Sequence, residues 1–256
     1  MADCWNPDQY QRFRRERERP FFDLLQMVRP RSQMRVVDLG CGPGNLTRIL
    51  HQRLCALETV GIDNSETMLE RARPLAEEGL RFERKDIGAF DERQAYDLVY
   101  SNAALHWVRH HQRLMERLFR ALDEGGQLAV QVPANHDHPT HTVASQVARV
   151  SPFREALGGY VVPTTVLAPE EYGILLSKLG FVEQHVRLQV YLHRLPSRED
   201  VVEWVMGSLL TAYQGRLPAD LFPDFLERYR ACLFSVLPNE RPFLFPFKRI
   251  LFWARR

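Results

Sequence analysis

Lysine is nearly absent from this 256-residue chain, which has three against 31 arginines, yet 34 basic and 32 acidic residues leave a net charge of only +2. That balance carries no segregated basic block, so the chain lacks the footprint of a nucleic-acid binder. No run of apolar residues approaches the roughly 20 that span a bilayer. The opening stretch MADCWNPDQYQRFRRERERP is polar where a secretory signal needs an apolar core. Cysteine is scarce as well. Cys4, Cys41, Cys55 and Cys232 form no C-x-x-C pair and have no histidine at metal-ligand spacing. They read as reduced thiols of a cytoplasmic protein. The arginine bias by itself fits a coding preference.

What is present is an ordinary globular profile, 45% hydrophobic, 26% charged and 11% aromatic. Strand-like and helix-like segments alternate through the first two-thirds. MRVVDL (34–39), LETVGID (57–63), LRFERKD (80–86), YDLVYSN (96–102) and GQLAVQVP (126–133) read as strands. Residues 45–54 have apolar residues at helical spacing, and 65–78 read as a helix capped by Ser65 with Met68, Leu69 and Ala72 inward. A helix over 111–122 is expected to close at Gly125 and Gly126. This order implies a mainly parallel sheet with helices on both faces. After residue 134 the rhythm breaks. Helical stretches follow, including 169–180 and 197–240, with long strands at 181–195 and 245–256. The expected organisation is one domain over 1–256. Residues 30–134 form its ligand-binding core, 1–29, 135–168 and 197–240 are cap elements, and 181–195 with 245–256 form a closing hairpin.

The segment that carries chemistry is VVDLGCGPGNLT (36–47). A strand ends near Asp38, and glycines at 40, 42 and 44 precede a helix that opens at Asn45. Such glycines let the backbone turn sharply and approach a ligand. The dinucleotide fingerprint G-x-G-x-x-G requires glycine where Asn45 stands, and Asp38 is a poor neighbour for a pyrophosphate. An acidic strand end beside a glycine turn suits an ammonium group. Asp63, 23 residues beyond Gly40 at the end of the second strand, stands where an acid accepts from ribose hydroxyls. Asp86 ends the third strand, where a carboxylate can accept from an adenine amino group while Ile87 packs on the ring. Ammonium, ribose and adenine together describe S-adenosylmethionine.

The ordered motifs D-L-G-C-G-P-G, G-I-D, K-D-I and Y-D-L-V-Y-S-N-A-A-L-H-W, over residues 34–133, resemble those of class I S-adenosylmethionine-dependent methyltransferases. The resemblance implies a Rossmann-like seven-stranded, mainly parallel sheet with an antiparallel last strand. It places Asp38, Gly40, Gly42 and Gly44 at the methionine end, Asp63 and Asn64 at the ribose, Asp86 and Ile87 at the adenine, and Asn102 near the sulfonium. The segments at 5–25, 102–107, 128–135, 139–141 and 254–256 further resemble the family of bacterial trans-aconitate 2-methyltransferases, which esterify one carboxylate of a small acid. One departure stands out. In that family an Arg follows the E-W-V motif (203–205) at the position Thr211 occupies here.

The expected partner is therefore a small-molecule acceptor, an organic acid such as trans-aconitate, with no nucleic acid and no membrane. The alternatives are a hydroxyl or carrier-bound acid as acceptor, or a non-catalytic S-adenosylmethionine-binding protein. A carboxylate acceptor is already ionised at pH 7 and needs no base. His106 would position the acceptor, or serve as base to a hydroxyl. Tyr10, Phe13 and Arg17 share one helical face, and with Trp107 they are the candidate substrate contacts. The N-terminal helix and the 197–240 segment are expected to act as a lid. His136, His138 and His141 lie in a Pro-containing loop with no obvious carboxylate or fourth ligand, so no metal site is expected. Pro163, Phe243, Phe245 and Phe247 read as packing.

Overall fold

The computed structural model describes residues 14–256, with side chains from Glu18 onward. Tyr10 and Phe13, and the side chain of Arg17, lie outside the described residues. In chain order the elements are α1 (Arg14–Leu25), β1 (Arg35–Leu39), α2 (Asn45–Leu54), β2 (Glu58–Asp63), α3 (Glu66–Ala72), β3 (Leu80–Arg84) and β4 (Tyr96–Asn102). Next come α4 (His111–Ala121), β5 (Leu122–Pro133), α5 (Pro139–Ala148), α6 (Phe153–Ala156) and α7 (Pro169–Leu179). The chain finishes with β6 (Glu183–Leu195), α8 (Glu199–Met206), α9 (Thr211–Gln214), α10 (Phe222–Val236) and β7 (Phe243–Arg255).

Seven strands form one sheet in the order β3-β2-β1-β4-β5-β7-β6. β1 pairs in parallel with β2 and β4, as do β2 with β3 and β4 with β5, whereas β7 runs antiparallel to β5. The expected architecture is thus observed. β1 and β4 are neighbours although β2 and β3 separate them in sequence. The connections leave these two strands toward opposite edges, which makes the carboxyl ends of β1 and β4 the switch point at which open α/β sheets bind ligands. Val36, Val37, Leu39, Leu98, Val99, Leu128 and Val130 are almost wholly buried in these central strands. Burial of both faces explains why their sequences run apolar instead of alternating.

Local structure corrects three boundaries. The helix expected over 65–78 ends at Ala72 and tightens into a 3-10 turn over Arg73–Leu75, where Pro74 stands. Proline supplies no N–H to continue an α-helix. The helix over 111–122 is not closed by glycines; β5 starts directly at Leu122, because Leu122 pairs with Tyr96 through an irregular register. The 197–240 segment is three helices, α8, α9 and α10. Ser65 does cap α3, its Oγ accepting from Met68 N–H at 3.3 Å.

Two compact units are distinguishable. One comprises residues 17–133, 165–189 and 249–256; the other contains 134–164 and 190–248. The second has its own apolar core from α5, α8, α10 and part of β7, including Trp204, Phe225, Tyr229 and Phe245. Phe243, Phe245 and Phe247 are buried there, as packing requires. Among the described residues no helix is long and apolar enough to cross a membrane, and no group of three or more His, Cys, Asp or Glu is placed to hold a metal ion.

Candidate active site

The glycine turn after β1 is pinned to β2 by its own backbone. Gly40 and Cys41 N–H both donate to Ile62 carbonyl oxygen, at 2.8 and 3.0 Å. The Asp63 carboxylate then organises the turn. Its Oδ2 accepts from Gly42 N–H and its Oδ1 from Ser65 N–H, both at 2.9 Å. A carboxylate has about four acceptor positions, so Asp63 keeps capacity for ligand hydroxyls. Asn64, beside it, is exposed.

The glycines are required for different reasons. Gly40 has φ +80°, and a Cβ there would stand 2.2 Å from Ala104 Cβ and 3.6 Å from Ile87 Cδ1. The absent side chain thus lets the ends of β1, β3 and β4 converge. At Gly44, whose φ is +79°, a Cβ would collide with Ala72 and the Phe82 ring. Gly42 differs: a Cβ at that position would meet nothing within 4 Å. The space above it is a cradle that a side chain would fill.

Asp38 lies beneath this turn and is 5% exposed. Its Oδ2 accepts from Thr47 Oγ1 at 2.6 Å, across to the first turn of α2. Burial pushes the carboxyl up to about 7; the Thr47 hydrogen bond opposes that shift, and the negative charge of Asp63 adds to it. Burial, with Asp38 and Asp63 nearby, also raises the Cys41 thiol, which rules out a reactive thiolate there. A buried carboxyl that is costly to ionise alone is well suited to a cationic ligand group.

Asn102 ends β4 and is half-buried, and its Oδ1 is a buried acceptor with no hydrogen-bond partner. The next residue, Ala103, has φ +57° and donates its N–H to Gln131 carbonyl oxygen at 2.9 Å. Left-handed backbone at alanine costs roughly 1–2 kcal/mol. Such strain persists where the surroundings hold it, characteristically at ligand sites. Here it turns Ala104 in against Gly40. Asp86 is exposed and caps the 3-10 turn Ile87–Ala89, its Oδ1 accepting from Gly88 N–H at 2.8 Å.

Asp38, the glycine turn, Asp63, Ile87 and the Asn102 segment therefore converge on the carboxyl ends of β1, β2 and β4. His106 and Trp107 follow in a 3-10 turn over Leu105–Trp107, their rings 4.6 Å apart. The His106 carbonyl accepts from Thr165 Oγ1 at 2.5 Å, and Trp107 is 46% exposed. In the other unit, His138 and His141 are tied together through Thr140 Oγ1, at 3.0 Å from each Nδ1. Burial lowers both to about 4, so these imidazoles are neutral at physiological pH. Thr211 Oγ1 donates to Ser208 carbonyl oxygen within its own helical turn.

Among the buried polar residues that the sequence reading did not single out are Gln131 in β5 (0% exposed) and Arg249 in β7 (5%). Their only signal was a polar residue in each of two otherwise apolar runs, LAVQV and RILFWA.

A glycine turn on an acid-ended strand, a second acid bonded into that turn, an open cradle at Gly42 and an orphaned acceptor at Asn102 together fit a ligand with cationic, hydroxyl and donor groups. The model of the Methyltransferase domain family matches residues 30–162. The fold recurs in the YcgJ protein of Bacillus subtilis, with TM-score 0.62 at 15% identity over 93% of this chain and 98% of that one. It recurs too in a methyltransferase of Mesorhizobium loti, with TM-score 0.52 at 23% identity over 93% and 97%. Fold and site thus define the class, an S-adenosylmethionine-dependent methyltransferase.

Full-length relatives narrow the class. The chain is 41% identical to trans-aconitate 2-methyltransferase of Deinococcus radiodurans over 98% of both chains. It is 42% identical to the enzyme of that name from Variovorax paradoxus over 88% of this chain and 87% of the other, and 39% identical to that of Methylobacterium nodulans over 100% and 99%. The chain belongs to the trans-aconitate 2-methyltransferase family.

Proposed function

We propose that this enzyme methylates one carboxylate of trans-aconitate or of a small organic acid of the same kind, in the cytoplasm. The likeness to the named relatives carries this reading, because it covers the whole length and not the cofactor-binding core alone. The cap segments, where an acceptor would be recognised, are shared too.

S-adenosylmethionine, when bound, supplies a methyl on a sulfonium; an acceptor oxygen forms the new O–C bond as the S–C bond breaks, and the electron pair stays on sulfur. For this cofactor Asp38 would face the ammonium group, and Asp63 would accept from the ribose hydroxyls. Asp86 and Ile87 would hold the adenine, with Asn64 at the rim of the ribose site. The orphaned Asn102 Oδ1 would accept from the amino acid end or line the sulfonium. Gly40, Gly42 and Gly44 allow the backbone to approach.

A carboxylate acceptor, with a pKa near 4, presents an ionised oxygen at pH 7, so no residue has to remove a proton. The protein's part is then alignment and exclusion of water. His106 acts in this scheme by positioning, with Trp107 as a wall of the acceptor site. Tyr10, Phe13 and Arg17 remain the proposed contacts from the N-terminal segment. The unit containing 134–164 and 190–248 is proposed as the acceptor-recognition cap of a single catalytic domain. Incubation with labelled S-adenosylmethionine and trans-aconitate tests the reading. A labelled monomethyl ester is expected. A hydroxyl product, or no transfer to any small acid, would overturn it.

A further inference from the structure

The turn Leu105–Trp107, which carries His106, is bracketed by strained backbone. Ala103 before it and His110 after it both adopt left-handed conformations, at φ +57° and +59°. Strain of that kind persists only where neighbouring groups hold it. The groups that hold this turn include two buried side chains, on α4 and α7, that the reaction scheme does not use.

His111, the first residue of α4, is 3% exposed, and Tyr172 of α7 is 0% exposed. His111 Nε2 lies 2.9 Å from the Leu105 carbonyl oxygen, and its Nδ1 lies 2.5 Å from the Tyr172 hydroxyl. A carbonyl oxygen only accepts, so Nε2 carries the ring proton and Nδ1 presents a lone pair. The Tyr172 O–H then donates to Nδ1, and its oxygen accepts from Leu167 N–H at 3.4 Å. Burial lowers the His111 pKa below its ordinary value, which keeps the ring neutral at physiological pH, as this chain of hydrogen bonds requires. The Tyr172 ring is stacked on Phe252 of β7, with centroids 4.7 Å apart, and this holds its hydroxyl in place.

The relay runs from Leu167 through Tyr172 and His111 to the carbonyl of Leu105, whose peptide leads directly into His106. That carbonyl also accepts from Val108 N–H at 2.9 Å. Both of its lone pairs are engaged, so the plane of the Leu105–His106 peptide is fixed. The next carbonyl, that of His106, accepts from Thr165 Oγ1, two residues before Leu167. The stretches 105–107 and 165–167 are thus fastened to each other twice. A pair that served only to fill the core would need no directed polar chain, because apolar groups of the same shape would pack there at little cost.

We propose that His111 and Tyr172 are positioning residues for methyl transfer, which fix the Leu105–His106 peptide and thereby the angle at which the His106 and Trp107 rings meet the acceptor. This rests on the reading above, in which those two rings border the acceptor site. Neither His111 nor Tyr172 touches the reacting atoms. A misplacement of about 1 Å can cost a hundredfold in rate, so freeing this peptide acts on kcat more than on affinity.

The test uses the full-length enzyme, steady-state transfer from S-adenosylmethionine to trans-aconitate, and titration with S-adenosylhomocysteine. Tyr172→Phe is expected to lower kcat at least tenfold, with the acceptor KM within threefold and S-adenosylhomocysteine affinity within twofold of wild type. His111→Leu should lose as much. His111→Gln, whose amide nitrogen can reach the Leu105 carbonyl as Nε2 does, should recover most of the loss. Proton–nitrogen correlation spectra of the imidazoles should show His111 as the Nε2–H tautomer in the wild type and as a mixture of tautomers in Tyr172→Phe. Folded variants with wild-type kcat would overturn the positioning role, as would an Nδ1–H tautomer in the wild type, or losses of cofactor and acceptor affinity in equal proportion. If His111→Leu fails to fold, Tyr172→Phe, which keeps the ring and its stack on Phe252, decides the matter. A wild-type enzyme that methylates no small acid would instead bring down the organic-acid reading, and the positioning role with it.

Discussion

Raising the pH from 6 to 8 should strengthen S-adenosylhomocysteine binding about tenfold, and the dependence should belong to Asp38. Burial, with the charge of Asp63, lifts this carboxyl from 3.8 to about 7 against the Thr47 hydrogen bond. The sign follows directly. Below about pH 4 the carboxyl is protonated in the folded and unfolded chain alike, and it contributes no pH dependence. Between about 4 and 7 the folded protein retains a proton that the unfolded chain has released, so stability declines as pH rises, by about 4 kcal/mol at 1.36 kcal/mol per unit. Above 7 the carboxylate is ionised in both states and the penalty is constant. An ammonium group brought beside Asp38 offsets that penalty and favours the ionised form. With a pKa of about 7, roughly 9% of the sites are ionised at pH 6 and roughly 91% at pH 8, hence the tenfold difference. Titration calorimetry in two buffers of different ionisation enthalpy should detect close to one proton released per ligand at pH 6 and almost none at pH 8. Asp38→Asn should flatten the profile, weaken binding at pH 8 and raise the melting temperature of the ligand-free protein there. Equal affinity at pH 6 and 8 with no proton released, or an unchanged slope in Asp38→Asn, would refute the reasoning.

The glycines give a contrasting pair. Gly42→Ala should fold, losing only about 1 kcal/mol for its positive φ, yet bind S-adenosylhomocysteine at least tenfold more weakly because its Cβ fills the cradle. Gly40→Ala should be grossly destabilised by the clash with Ala104, seen as a collapse in soluble yield or melting temperature. Tyr100→Phe removes the buried hydrogen bond to Phe21 carbonyl oxygen, 2.8 Å, that fastens α1 to the sheet. It should cost about 1–2 kcal/mol in urea unfolding. His141, held near 4 by burial, has a folded pKa below its unfolded value. Its contribution to stability is complete above about 6.5 and falls away as pH drops toward 4, so His141→Gln should flatten the acid limb of the stability curve.

The glycine turn and its acids were legible because they are local. β1, the turn and α2 are contiguous, and glycines at two-residue spacing have few other uses. Asp63 could be placed because β2 must lie beside β1 for its end to meet the turn. The break at Pro74 was missed because Leu75 and Ala76 carry the apolar pattern of 65–72 on into LAEE, while the lost N–H acts at a single position. The start of β5 was missed because pairing between Leu122 and Tyr96 is a tertiary contact, which overrides the helical period. The pairing of Gln131 with Arg249 could not be read for a stronger reason. They are 118 residues apart, and only the antiparallel register of β5 and β7 brings them together. No local pattern encodes a partner at that separation.

The strand order has a consequence for biosynthesis. β7 lies between β5 and β6, although β6 is translated some fifty residues earlier. On the ribosome β6 therefore emerges before its own partner β7 exists, while the one open edge on that side of the sheet is β5, and it must wait, thirteen residues long and rich in valine and leucine, until β7 has added to β5. The sheet is completed from the inside by the segment made last. Its interval of greatest exposure to misassembly is then the time taken to make α8 through α10, the helices that separate β6 from β7 in the chain.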